Sequence, residues 1–309
     1  MRPLHVPANR LSEIRLCFGG EFGYELLSWL PYLNFVAHET GVRLKTCSRP
    51  GSSALYAFSS DHIELPFTWR PHRFGTAESD RAFSEAFEEE VVTPRRSTRK
   101  RLYELSLGGL DWDHQFIHQR LTARNYRPLS LSGSEIDLLP KGPVAVINNK
   151  DFDNWGNRDP GLREAFMSEQ LVELRDQLLD LGYFVVYHPF HEPVVEDRFA
   201  IKDEGIFSSG RTLDMRDVYA SAADARDVMR LQLGLYQAAQ LVVCPQGGNS
   251  FLPIMLGKTT LVLSTSGRLV EYQDLARVYG ADVQVHTSVV TILEALRWVP
   301  RFGIGATPA

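Results

Sequence analysis

The 309-residue chain predicts an α/β protein made of two doubly wound halves facing a cleft. Two observations carry this. A strand, a glycine-rich turn, a helix and a second strand occur in that order near each end of the chain. Between them, after Leu138-Leu139-Pro140-Lys141-Gly142-Pro143, apolar strand-like runs alternate with amphipathic helical ones, the pattern of parallel sheets with helical crossovers. The expected domains are residues 1–140 and 141–309, with the last helix a candidate to cross back.

Composition narrows the class. Hydrophobic residues make up 44% and charged residues 23%, which sets the chain among globular rather than disordered proteins. A net charge of −5 argues against nucleic acid as a partner. Cys17, Cys47 and Cys244 all fall in strand-like runs without metal-ligand spacing, and read as buried thiols in a reducing compartment. No secretory leader and no apolar run of membrane-spanning length is found. The expected location is cytoplasmic, with room for peripheral membrane contact.

In chain order, Met1 to Ser12 reads as an irregular lead-in and Glu13 to Phe18 as the first strand. Gly19-Gly20-Glu21-Phe22-Gly23-Tyr24-Glu25 is a glycine turn leading into a helix to Glu39, in which Pro31 should cause a bend or break. Val42 to Cys47 is the next strand. Ser52 to Ser60 and Thr76 to Val91 have helical character, and Ile63 to Phe67 is strand-like. The basic run Arg95 to Arg101 reads as a solvated loop, the other reading being contact with an anionic acceptor or membrane surface. Gly108 to Tyr126, rich in aromatics and histidine, has the character of a lid or acceptor-side loop.

In the second half, Val144 to Asn148, Tyr183 to His188, Leu241 to Cys244, Thr259 to Leu263 and Val283 to His286 read as strands, with a further short one near Ile206-Phe207. Pro189 should close the second of them. Helices are expected over Ser168 to Leu181, Ala225 to Gln240, Phe251 to Leu256, Glu271 to Tyr279 and Val290 to Val299. Pro245-Gln246-Gly247-Gly248-Asn249-Ser250 is the second glycine turn, with Asn249 or Ser250 as the helix cap. Such a turn offers backbone N–H groups and the positive end of a helix dipole to an anion, most simply a phosphate. Asn148, Lys150 and His188 stand at strand ends, where ligands of doubly wound sheets bind. Arg158 offers a second cation, and Glu271 a carboxylate for a ribose hydroxyl.

The two-half architecture resembles a GT-B glycosyltransferase, two Rossmann-like halves facing a cleft. Gln246-Gly247-Gly248-Asn249-Ser250, with the apolar helix and strand that follow, is similar to the donor-side turn of such enzymes. Gly19-Gly20-Glu21-Phe22-Gly23-Tyr24-Glu25-Leu26 looks like a segment of bacterial proteins of surface-polysaccharide synthesis. The resemblance implies a nucleotide-sugar donor held by Asn148, Lys150, Arg158, His188, Gln246 to Ser250 and Glu271. It implies a hydroxyl acceptor on a glycan, lipid-linked glycan or small molecule, and Glu21 or Glu25 as the base. The expected reaction is inverting and independent of cofactors. Asp151-Phe152-Asp153 and Asp111-Trp112-Asp113 spell the acidic pair of metal-dependent GT-A enzymes, but the two-half pattern favours a metal-free site. A nucleotide-sugar epimerase of the same fold and a non-catalytic nucleotide- or glycan-binding protein are the alternatives.

Overall fold

A computed structural model of the chain describes residues 4–20, 22–65, 77–94, 105–112, 122, 124, 139–150, 164–190, 201–208, 210–265 and 269–301. The chain forms two compact units, Met1–Ser130 and Leu131–Ala309.

The first unit is built on four parallel strands: β2 (Arg15–Cys17), β3 (Lys45–Ser48), β4 (Asp61–Glu64) and β5 (Val91–Val92), in the order β4-β3-β2-β5. Counted from β2 this is 3-2-1-4, so the order reverses between β2 and β5, and Gly19-Gly20 follow the carboxyl end of β2 beside that reversal. Where an irregular lead-in was expected, Leu4–Val6 forms a strand, β1. It pairs with Leu105–Leu107 (β6), which turns back on Leu110–Trp112 (β7). Gly108 and Gly109, at φ 63° and 81°, supply the positive φ that a two-residue hairpin turn needs. The Tyr32 hydroxyl ties this sheet to the helix above it, donating to Leu110 O at 2.8 Å and accepting from Leu107 N at 3.0 Å.

The helix after the first glycine turn is continuous across Pro31, but not uniform. A turn at Phe22–Tyr24 runs into a π-helical turn, Glu25–Trp29, and then into α1, Leu30–Thr40. Leu30 N–H reaches back to Glu25 O, and the widened register lies where Pro31 has no N–H to give. The expected Thr76–Val91 helix is Ala77–Ala86 (α2), and the expected helix at Ser52–Ser60 is a single 3₁₀ turn, Ser53–Tyr56. Arg15, its side chain only 4% exposed, bonds Asp61 and Glu89 at 2.5 Å each and Thr46 O at 3.0 Å, and so ties β2 to β3 and β4.

The second unit carries six parallel strands: β8 (Val144–Lys150), β9 (Phe184–Phe190), β10 (Thr212–Asp214), β11 (Leu241–Pro245), β12 (Thr259–Leu263) and β13 (Val283–His286). Their order, β10-β9-β8-β11-β12-β13, is 3-2-1-4-5-6 counted from β8, the doubly wound order that binds ligands at the reversal. Odd-numbered residues of the central strands, among them Ala145, Ile147, Val243 and Leu261, pack under α3 (Ser168–Asp180) and α8 (Val289–Leu296). The even face of β8 meets α5 (Ala225–Ala238), which follows the short α4 (Met215–Tyr219). The last described helix, α8, packs within this unit, where Gln177 Nε2 donates to Leu293 O at 2.7 Å.

Three expectations for this unit are corrected. The segment near Ile206-Phe207 is a turn, and the third strand is Thr212–Asp214, an edge strand paired with β9. β8 continues through Asn149 and Lys150. β9 continues through Pro189, because β10 pairs only as far as Asp214↔Tyr187 and no donor is required on that side beyond it. Among the described residues no helix is long and apolar enough to cross a membrane.

Candidate functional site

The reversal of strand order in the second unit opens a crevice. β8 pairs with β11 only as far as Ile147↔Val243, while it stays paired with β9 through Lys150↔Phe190. Beyond Ile147 the two central strands part, and the residues ending each of them face the gap.

On the β8 side stands Lys150, 7% exposed. Its Nζ donates to Gln246 O at 2.9 Å, across the gap, and lies 3.8 Å from Glu164 Oε2. Glu164 is brought there by Asn149, whose side-chain amide clamps the backbone of Phe166, accepting from its N–H and donating to its carbonyl, both at 2.9 Å. The period of two along the strand sends Asn149 toward α3 and Lys150 to the opposite face.

On the β11 side, Gln246 hands the chain to α6, Gly248–Met255. The cap is Gly247 rather than Asn249 or Ser250, which lie inside the first turn. Gly247 has φ 145° and ψ −174°, a conformation essentially restricted to glycine. A Cβ there would sit 3.9 Å from Lys150 Nζ, so the bare backbone leaves the ammonium approachable. Gly248 is an ordinary helical residue. The turn is braced from beneath: Ser250 Oγ donates to Gly247 O at 2.6 Å and meets the Tyr272 hydroxyl at 2.8 Å, and Gly247 N–H donates to that hydroxyl at 3.4 Å. Ser264 Oγ donates to Gln246 Oε1. Tyr272 belongs to α7, Leu269–Tyr279, whose first turn also holds Glu271.

Asn148 and His188 lie side by side in register, both buried. Asn148 Nδ2 is 2.6 Å from His188 Nδ1. Burial pushes the imidazole pKa down to about 3, so His188 is a neutral hydrogen-bonding group at physiological pH, not a counter-charge. Asn249, 8% exposed, accepts from Gln232 Nε2 at 3.4 Å through Oδ1, and its Nδ2 has no hydrogen-bond partner among the described residues.

Thus Lys150, Gln246, Gly247 and Ser250 share one crevice, and Asn148, His188 and Asn249 flank it. Among the described residues no hydrogen bond or ion pair joins Glu271 to them. Glu21, Arg158, Asp151, Asp153, Asp113 and the run 95–101 lie outside the described residues. Glu164, Tyr272, Gln232 and Tyr236 were not singled out from sequence. Gln232 and Tyr236 carried a signal, polar groups four residues apart on an amphipathic helix; Glu164 carried none.

In the first unit the Glu25 carboxylate is fully buried. Oε1 accepts from Ser48 Oγ and, at 2.7 Å, from the Tyr56 hydroxyl. Oε2 accepts from Arg49 Nε at 3.0 Å and Nη2 at 2.7 Å. Arg49 also lies over the Phe22 ring, 4.5 Å from its centroid. With both oxygens engaged, Glu25 is built to hold Arg49 and Tyr56 beside the glycine turn.

No protein-family model matches the chain, and no curated protein sequence does. Solved structures match it by fold. It is similar to Escherichia coli ADP-heptose LPS heptosyltransferase II, with 13% identity, a TM-score of 0.52, and 93% of this chain and 98% of that one covered. It is similar also to E. coli heptosyltransferase WaaC with ADP-2-deoxy-2-fluoro heptose, with 14% identity, a TM-score of 0.52 and coverage of 92% and 98%. The same enzyme with ADP gives 13%, 0.51, 92% and 98%. The chain therefore has the two-domain, Rossmann-like α/β fold of the GT-B glycosyltransferases.

Proposed function

We propose that the chain is a glycosyltransferase that moves a sugar from a nucleotide-sugar donor to a hydroxyl group. The observation that carries this reading is the meeting of Lys150 with the glycine-capped N-terminus of α6 at the strand reversal of the second unit. A buried ammonium and a helix dipole's positive end suit a diphosphate, both in the ground state and as a leaving group. Solved proteins of the same fold, described with ADP and an ADP-heptose analogue, support it.

In this reading Lys150, Gln246, Gly247 and Gly248 take the diphosphate. Asn148, His188, Asn249 and Ser250 orient the rest of the donor or brace the turn, and Glu271 and Arg158 are further donor-side groups. Lys150 and the helix N-terminus take the place of a divalent metal, and the reaction is inverting. The acceptor is a glycan, a lipid-linked glycan or a small molecule. Glu21, which follows Gly19-Gly20 at the carboxyl end of β2, is the base that takes the acceptor proton, while Glu25 keeps its four donors. The three buried, unpaired cysteines fit a reducing, cytoplasmic setting, with any membrane contact peripheral.

The test is to incubate the protein with nucleotide sugars, with and without a panel of hydroxyl acceptors. Acceptor-dependent release of nucleoside diphosphate supports the proposal. Conversion of the donor sugar without an acceptor assigns an epimerase instead, and binding without any turnover assigns a binding protein. Glu21→Gln should lower kcat by about 10²–10⁴-fold with donor affinity retained; unchanged turnover moves the base elsewhere.

A further inference from the structure

Two sets of uncharged hydrogen-bonding groups lie beside the Lys150 crevice. Asn148 Nδ2 contacts His188 Nδ1 at 2.6 Å and the Tyr236 hydroxyl at 3.2 Å. Gln232, one helical turn before Tyr236 on α5, donates to Asn249 Oδ1 at 3.4 Å. These neutral groups form a relay in two parts, His188–Asn148–Tyr236 at the ends of β8 and β9 and Gln232–Asn249 at the first turn of α6, with Tyr236 and Gln232 one turn apart on α5. Asn148 lies two residues before Lys150 on the same face of β8, and Asn249 two residues after Gly247.

The relay is open at its ends. With Nδ1 accepting from Asn148, the neutral His188 ring carries its proton on Nε2, which makes no hydrogen bond among the described residues. At the other end Asn249 Nδ2 is buried without an acceptor among the described residues. The Tyr219 hydroxyl, whose ring meets His188 edge-on at 5.5 Å, is also buried without a hydrogen-bond partner among the described residues. An unmet buried donor costs about 1–3 kcal/mol, so such groups point to a ligand that satisfies them. Nothing in the relay is charged, whereas a carboxylate taken out of water demands a cation.

Building on the donor-site reading, we propose that the relay selects the transferred sugar: Asn249 Nδ2–H and His188 Nε2–H donate to hydroxyl oxygens of a neutral hexose-type sugar, not one bearing a carboxylate. Lys150 and the glycine turn hold the diphosphate, and the relay reads what hangs from it.

The experiment is isothermal titration of adenosine, uridine, guanosine, cytidine and thymidine diphosphates, and of their hexose and hexuronate conjugates, into wild type and Asn249→Ala. For whichever base binds, Asn249→Ala should weaken the neutral-hexose conjugate about threefold to tenfold, the loss of one neutral hydrogen bond, and leave the bare diphosphate within twofold. Equal weakening of both, or of neither, overturns the inference while leaving the diphosphate site standing. Should Asn249→Ala not fold, wild type alone decides: the neutral conjugate is expected at least tenfold tighter than the hexuronate, and equal affinity overturns the inference. No binding of any diphosphate to wild type overturns the donor site itself, and the sugar reading with it.

Discussion

Glu25→Ala should destabilise the first unit by about 4 kcal/mol. Glu25 is wholly buried and its two oxygens take four hydrogen bonds, two from Arg49 and one each from Ser48 and Tyr56. Removing one member of a buried ion pair costs about 3–5 kcal/mol, because the partner charge is left without compensation. Tyr56, also buried, loses its acceptor at up to about 1–3 kcal/mol, while Ser48 Oγ still has Phe18 O at 3.3 Å. The part-exposed Arg49 can swing toward water and recover some of this, which sets the figure inside the range for the pair rather than above it. Glu25→Gln keeps the shape and can turn its amide NH₂ toward the two hydroxyls, so about 2 kcal/mol is expected. The assay is urea unfolding followed by circular dichroism. With a slope of about 2 kcal/mol per molar urea, the Ala variant's midpoint falls by about 2 M. A Glu25→Ala protein within about 1 kcal/mol of wild type would refute the structural role and return Glu25 to the candidates for catalysis.

Gly247→Val should both strain the backbone, by about 1–3 kcal/mol, and weaken diphosphate binding, because its φ of 145° excludes a β-branched residue and its Cβ would stand beside Lys150; Gly248→Val, at a helical position, should disturb both less, and the reverse ranking by calorimetry and thermal melting would contradict the geometry. Stability should also fall in acid above the carboxylate range. Burial lowers His62 to about 4 and His188 to about 3, from 6.5, so the unfolded chain binds protons first. Their contribution is complete above pH 6.5 and declines by about 1.4 kcal/mol per pH unit for each histidine as pH falls toward those values. Urea unfolding at pH 6.5 and pH 5 should show it, and His62→Gln should remove roughly half; equal stability at the two pH values would sink the argument.

Much of the second unit was legible in the sequence because its central strands are continuous apolar runs ended by glycine or proline. The central strand Thr259–Leu263 falls where the pattern places it, and so does the alternating edge strand Val283–His286. What was not legible depends on distant partners. Leu4–Val6 is a strand only because Leu105–Leu107 pairs with it, and Thr212–Asp214 only because β9 offers an edge. Pro189 reads as a stop, yet the neighbour it would interrupt has already ended. The Gly108-Gly109 turn did carry a local hairpin signal, obscured by the aromatic stretch after it. For the site, glycine turns and strand ends led to Lys150, His188 and Gln246–Ser250. Sequence could not show that Gly247 rather than Gly248 is the special glycine, since that depends on where the helix begins. Nor could it show that Glu25 is consumed by Arg49, Ser48 and Tyr56, residues brought to it by the β2–β3 pairing.

The central claim, that the strand reversal of the second unit is a nucleoside-diphosphate site centred on Lys150, is tested most directly by calorimetric titration of nucleoside diphosphates into wild type and Lys150→Met. Methionine keeps the length and burial of the side chain and deletes the charge, with its hydrogen bond to Gln246 O and its ion pair with Glu164. A charge-assisted contact is worth about 1.5–3 kcal/mol, so the account predicts diphosphate binding to wild type and a loss of about ten- to 150-fold in the variant. Diphosphate binding unchanged in a folded Lys150→Met protein would contradict it.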